Sequence, residues 1–168
     1  RNFAMVGCSG LASGVGIYLG ALLGNGKLEK AREDASKLLK VTFLLGILGG
    51  ILILIARPIL LDVVHLSAQS RSYLNIMLII NAGYVVTKAL NVVGNNGIFC
   101  AGGDTKFGLI CDTIDMWCFS VPLGFFCAFW LKLPPMQVYF VLCLDELAKL
   151  PFMYRHYKQY KWVKNITK

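Results

Sequence analysis

Apolar residues fall into five runs, at about 3–24, 38–57, 73–98, 107–131 and 135–153, each near the roughly 20 residues that a helix needs to cross hydrocarbon. All five are expected to be helices, because lipid offers backbone amides and carbonyls no other partner. The breaks between them carry ordinary stop signals: Gly24-Asn25-Gly26, Arg57-Pro58, Ala101-Gly102-Gly103-Asp104 and Lys132-Leu133-Pro134. Between the first two runs, the stretch from Lys27 to Lys40 holds Glu29, Lys30, Arg32, Glu33, Asp34 and Lys37 and is too charged to insert. It predicts an amphipathic loop over 25–37 with a short helix lying at the membrane surface. The predicted fold class is therefore all-α, a polytopic transmembrane helix bundle ending in a polar tail over 154–168.

The third run departs from a plain lipid-facing pattern. Asn81, Tyr84, Lys88, Asn91 and Asn95 recur at spacings of three and four, which places them on one face of a helix. Ile79, Val85, Val86, Leu90, Val93 and Ile98 hold the other positions, so the span has one wet side and one lipid or protein side. Three asparagines in hydrocarbon must find partners in protein or water, and a lysine in mid-membrane is a functional hypothesis by default.

Composition fits this pattern. The chain is 57% hydrophobic, 15% charged and has a mean hydropathy of +0.62, against charged residues approaching roughly a quarter in an average soluble domain. It opens on Arg1 and enters its first apolar run almost at once, which suggests part of a longer protein. When Lys and Arg are allotted to alternate sides, residues 27, 30, 32, 37, 40, 106, 149, 155, 158, 161, 164 and 168 fall on one face, and Arg1, Arg57, Arg71 and Lys132 on the other. The positive-inside rule then puts the charged loop and the tail in the cytoplasm. The net charge of +8 is met by cytoplasmic loops and anionic lipid, without nucleic acid as a partner. Tyr154, Tyr157, Tyr160 and Trp162 among the tail lysines fit a segment resting at headgroup level.

Two more spans carry candidate chemistry. Asp112 and Asp115 stand three apart in the fourth. If the third and fourth spans form an antiparallel pair, a rise of about 1.5 Å per residue brings Lys88 and Asp115 to similar depth. An ion pair between them would remove the cost of two isolated charges. It would be either a titratable pair lining a polar cavity, where a proton or cationic substrate competes with the lysine, or a static internal pair. Asp145 and Lys149, with Glu146 beside them, read mainly as a helix-surface pair in the favourable acid-before-base order. The first span holds Gly10, Gly14, Gly16, Gly20 and Gly24, a ridge suited to close helix packing or, alternatively, to a deformable, cavity-lining helix.

Several classes drop out. The six cysteines, at 8, 100, 111, 118, 127 and 143, lack Cys-x-x-Cys spacing, and His65 and His156 are isolated, so neither zinc nor a disulfide framework is expected. There is no nucleotide-binding glycine loop after a strand and no Gly-x-Ser-x-Gly, so no enzyme and no cofactor is expected. Asn165-Ile166-Thr167 matches a glycosylation acceptor but falls on the expected cytoplasmic side.

The stretch Gly20-Ala-Leu-Leu-Gly-Asn-Gly-Lys-Leu-Glu-Lys-Ala31 resembles the end of a span and the following loop in the multidrug and toxic compound extrusion family. Gly97-Ile-Phe-Cys-Ala-Gly-Gly-Asp-Thr105, followed by the run with Trp117 and Pro122, is similar to a second signature. Asp145-Glu146-Leu-Ala-Lys149 through Asn165 resembles the last span and tail of bacterial members. The resemblance implies a bacterial plasma-membrane transporter of roughly twelve spans in two bundles, of which this chain supplies the last five, with the N-terminal bundle as its partner. It implies antiport of cationic amphipathic drugs against H+ or Na+. Two departures stand out: Thr87, Lys88 and Ala89 occupy the region where sodium-coupled members usually carry a carboxylate, and Cys100 stands where an arginine is common.

Three functions follow for testing. The first is an exporter of organic cations whose pathway is lined by Asn81, Tyr84, Lys88, Asn91, Asn95, Asp112 and Asp115. A flippase for lipid-linked saccharides would call for several basic residues along the cavity, and only Lys88 is offered. A non-transporting membrane scaffold would use all these features for packing.

Overall fold

The computed structural model describes residues 2–63 and 68–164, with side chains from Val6 onward except at position 68. His65, Asn165 and Thr167 lie outside the described residues. Seven α-helices run in order: α1 Asn2–Gly24, α2 Leu28–Val63, α3 Ala68–Val92, α4 Thr105–Ile114, α5 Val121–Phe125, α6 Pro135–Cys143 and α7 Asp145–Lys158. Three π-helical turns continue them without a break in the rod: Val93–Phe99 extends α3, Asp115–Ser120 joins α4 to α5, and Phe126–Trp130 extends α5. Among the described residues there is no strand.

Four rods are long and apolar enough to cross a membrane: Val6–Gly24, Leu28–Val63, Gln69–Phe99 and Thr105–Trp130. They coincide with the first four apolar runs. The fifth run is split at Leu144 into α6 and α7, and α7 carries Asp145, Glu146 and Lys149 in its first turns. Large apolar side chains such as Leu48, Leu52, Ile55, Phe125, Phe129 and Trp130 face outward, as helices in lipid require.

Two boundaries differ from expectation. The charged stretch after the first span is neither a loop nor a separate surface helix. It is the start of α2, whose 36 residues span about 54 Å at 1.5 Å per residue, well beyond a hydrocarbon core of about 30 Å. No Gly or Pro interrupts residues 27–40, and Ala31 and Ala35 are fully buried, so packing holds the charged turns upright. At the other end α2 passes through Pro58 to Val63; a proline near a helix end forfeits few backbone bonds, which neighbouring groups can replace.

Helices α2 and α3 pack through small residues. A Cβ added at Gly46 would sit 3.1 Å from Val86 Cα, and one at Gly50 would sit 2.7 Å from the Ala82 carbonyl oxygen. The π-helical turn meets α1 in the same way, since a Cβ at Gly97 would lie 3.1 Å from the Ala12 carbonyl oxygen. The α1 glycines behave otherwise. Gly16 faces the backbone of Asn96 and Gly97, but nothing lies within 4 Å of a Cβ at Gly7, Gly10, Gly14 or Gly20. Most of that ridge is open, and the glycines that bring helices together are those of α2 and the π-helical turn.

At the end of the bundle near Gly26, the tail folds back. Trp162 is fully buried with Leu19, Leu23, Ala31, Ala35 and Phe99. Its approach depends on Gly102, where a Cβ would lie 2.1 Å from the Trp162 carbonyl oxygen. The neighbouring Gly103 takes a positive φ of 70°, which a side chain would disfavour. His156 Nε2 lies 2.7 Å from Asp104 Oδ2 and its ring stacks on Phe107. Arg32 sits 3.7 Å from the centre of the Tyr160 ring, a cation–π contact. Tyr157 and Trp162, expected at headgroup level, are thus protein core.

Candidate functional site

The wet face of α3 turns inward. Tyr84, Asn91 and Asn95 are buried and Asn81 and Lys88 partly so, because this face meets α7 and α4 and not lipid. Lys88 Nζ donates to Glu146 Oε1 at 2.5 Å. Asn91 Nδ2 donates to Glu146 Oε2 at 2.7 Å and to the Glu146 carbonyl at 2.8 Å. Glu146 is only 1% exposed, and a carboxylate so placed requires this set of donors.

The sequence-based pairing of Lys88 with Asp115 is not formed. Asp115 belongs to Lys149, whose Nζ stands 3.2 Å from Asp115 Oδ2, 3.2 Å from Asp112 Oδ1 and 3.7 Å from Glu146 Oε1. The reason is register. Helix α7 crosses between α3 and the rod of α4, so its Glu146 intercepts the lysine and its own lysine reaches the two aspartates. Lys149 is correspondingly not a surface partner of Asp145. Asp145 Oδ1 accepts the Glu146 backbone N–H at 2.6 Å, and Oδ2 accepts from the Ser120 hydroxyl at 3.4 Å.

Of the residues singled out in the sequence, Lys88, Asn91, Asp112 and Asp115 therefore join one network, through Glu146 and Lys149. Asn95 lies one turn farther along, its Oδ1 facing Gly108 of α4. Tyr84 lines a separate cavity of about 390 Å³ with Ile79, Thr87, Phe140 and Leu147, and Asn81 sits one turn before it. The side-chain oxygens of Asn75, Asn81, Asn91 and Asn95 are buried without a hydrogen-bond partner, so this face keeps unused acceptors in its interior.

Glu146 and Lys149 are the functional candidates that sequence reasoning placed at the surface. Their signal was present: Glu146, Lys149, Met153 and Tyr157 are the buried residues of α7, and their spacing of three and four defines one inward face.

Asp115 and Lys149 open onto a cavity of about 350 Å³ whose other walls include Phe107, Cys111, Cys118, Phe119 and Phe152. It is an apolar, aromatic pocket with one carboxylate and one ammonium at its wall. Such a chamber can take a flat apolar body and hold a charge at one end. Asp112 remains 56% exposed in its side chain, so the cluster runs from a buried end at Glu146 to an accessible end at Asp112.

A family model described as MatE matches residues 1–126; α6 and α7, with Glu146 and Lys149, follow the matched stretch. No curated protein and no solved structure matches the chain. With three quarters of its length matched and four membrane-length helices among the described residues, the chain belongs to the MatE family of multi-pass membrane transporters.

Proposed function

We propose that the chain is the C-terminal part of a bacterial plasma-membrane exporter that moves cationic amphipathic drugs by antiport against H+ or Na+, working with an N-terminal bundle of the same protein. The observation that carries this reading is the aromatic cavity of about 350 Å³ with Asp115 and Lys149 in its wall. A cationic cargo entering it would compete with Lys149 for Asp115, and its apolar body would replace water against Phe107, Phe119 and Phe152. Binding and release would then be coupled to the charge state of one network, which joins α3, α4 and α7. The excess of Lys and Arg on the loop and tail side supports a cytoplasmic C-terminus.

The flippase reading wants unpaired cations for phosphate, and both lysines of the network are engaged with carboxylates, which favours the cation exporter. The test is ethidium efflux from cells expressing the complete parent protein, with Lys88→Ala and Asp115→Asn compared at matched membrane abundance. Loss of efflux in both variants is expected. Wild-type failure with several cationic dyes under both sodium and proton gradients would overturn the reading.

A further inference from the structure

We propose that the groove between α2, α3 and α7 is a binding site for one anionic phospholipid, with an acyl chain on its apolar walls and the phosphate at Lys40. The groove holds about 570 Å³, within the roughly 300–1,000 Å³ of ligand clefts. Phe43 and Leu44 of α2, Leu90 of α3, and Leu150 and Met153 of α7 form its walls. Lys40 and Tyr154 complete the lining. Phe43, Leu44 and Tyr154 are half-exposed, so the groove opens outward toward the bilayer. An acyl chain is the apolar body that the surroundings of a spanning helix supply.

Depth places the charge. Lys40 is the last charged residue before an uncharged stretch from Val41 to Ala56, and Arg57 follows that stretch. At 1.5 Å per residue the two cations stand about 25 Å apart along α2, close to a hydrocarbon thickness of about 30 Å, so each marks one edge of it. The alkyl stem of Lys40 lies along the groove while its ammonium reaches headgroup level. The acidic residues one to two turns earlier, Glu33 and Asp34, are held by Lys37, and among the described residues no carboxylate pairs with Lys40. Lys158 Nζ lies 4.8 Å from the centre of the Tyr154 ring, which brings a second cation to the same rim. Two cations and a phenol hydroxyl beside an apolar groove match a phosphate joined to an acyl chain. The same cations would repel the cationic cargo proposed for the Asp115 cavity, so the two sites take ligands of opposite charge.

The test uses the complete protein, purified in a non-ionic detergent and titrated with dioleoyl phosphatidylglycerol or dioleoyl phosphatidylcholine, with bound lipid counted by native mass spectrometry. Wild type is expected to bind phosphatidylglycerol saturably and at least about fivefold more tightly than phosphatidylcholine, the factor that one cation near a membrane surface contributes. Lys40→Gln should remove that preference and leave phosphatidylcholine binding unchanged, whereas Lys40→Arg should keep it. Lys106→Gln, which alters the charge at the same end of the bundle but outside the groove, should have no effect. Leu44→Trp, at an exposed wall position, should weaken both lipids by obstructing the chain. Equal affinity of wild type for the two lipids overturns the proposal whether or not a variant folds, and so does an unchanged preference in Lys40→Gln. Displacement of phosphatidylglycerol by millimolar inorganic phosphate would show a free-anion site, and displacement by ethidium a second cargo site; either result also overturns it.

Discussion

Replacing Lys88 by Met strands the Glu146 carboxylate. It loses its shortest contact and keeps the Asn91 amide at 2.7 Å and Lys149 at 3.7 Å. Removing one partner of a buried ion pair costs about 3–5 kcal/mol. Because Lys88 is one-fifth exposed and Lys149 can take up part of the charge, the lower end applies, about 3 kcal/mol. Glu146→Leu leaves the Lys88 ammonium without its acceptor, while the Asn91 amide keeps the main-chain carbonyl of residue 146, and a similar cost of about 3 kcal/mol is expected. The double variant strands neither charge. Its remaining defect is the one Asn91 hydrogen bond to the Glu146 side chain that is lost, about 1–2 kcal/mol. The two substitutions should therefore be strongly non-additive, with a coupling of at least about 2 kcal/mol. Thermal unfolding of the complete protein in detergent reads this directly: each single variant should melt lower, by less than the about 2–4 °C per kcal/mol of a 150–250-residue domain because the complete protein is larger, and the double variant should melt above either single one. Lys88→Met combined with Asp115→Asn serves as the comparison pair and should couple more weakly, since Asp115 is held by Lys149. Single variants whose costs simply add within about 0.5 kcal/mol would refute the pairing. On the exporter reading the double variant should be folded and inactive, whereas a scaffold would lose nothing by it.

Gly50→Ala drives a Cβ to 2.7 Å from the Ala82 carbonyl oxygen and should cost about 1–3 kcal/mol. Gly10→Ala, with nothing within 4 Å, should leave melting unchanged or raise it by up to about 1 kcal/mol, and a melting comparison of the two decides whether packing lies on α2 or on α1. Trp162→Ala empties a fully buried site and should destabilise by about 3–5 kcal/mol. Gly102→Ala should expose the same tail without touching the tryptophan, so both variants should be cut sooner than wild type in limited proteolysis after Lys158. If a cationic dye occupies the Asp115 cavity, it should slow maleimide labelling of Cys118, which lines that cavity, while Cys127, buried elsewhere, labels slowly with or without dye.

The first four membrane rods were legible because length and apolarity alone specify a spanning helix, and in lipid no other structure satisfies the backbone. The inward turn of Asn91, Asn95 and Lys88 was legible from spacing. Their partners were not, because a depth argument aligns residues along two neighbouring helices and cannot say that a third passes between them. Thus Lys88 was matched to Asp115, although Glu146 of α7 reaches it first. The charged turns of α2 are illegible in the sequence for a similar reason. Composition shows that residues 27–40 cannot sit in hydrocarbon, but only the packing of Ala31 and Ala35 against Trp162 shows that they project from the membrane as part of the helix. The Gly102 contact depends on a chain reversal some sixty residues later, and no local pattern announces it.

That reversal bears on the order in which the protein is made. Leu19 and Leu23 near the end of α1 share one core with Trp162, yet well over a hundred residues separate them along the chain. At about 5–20 residues per second of synthesis, α1 waits on the order of ten seconds for the residue that covers it. During that interval Leu19, Leu23 and Ala31 lack the Trp162 side of their core. The tail therefore acts as a seal that can close only after the four spans before it have been made.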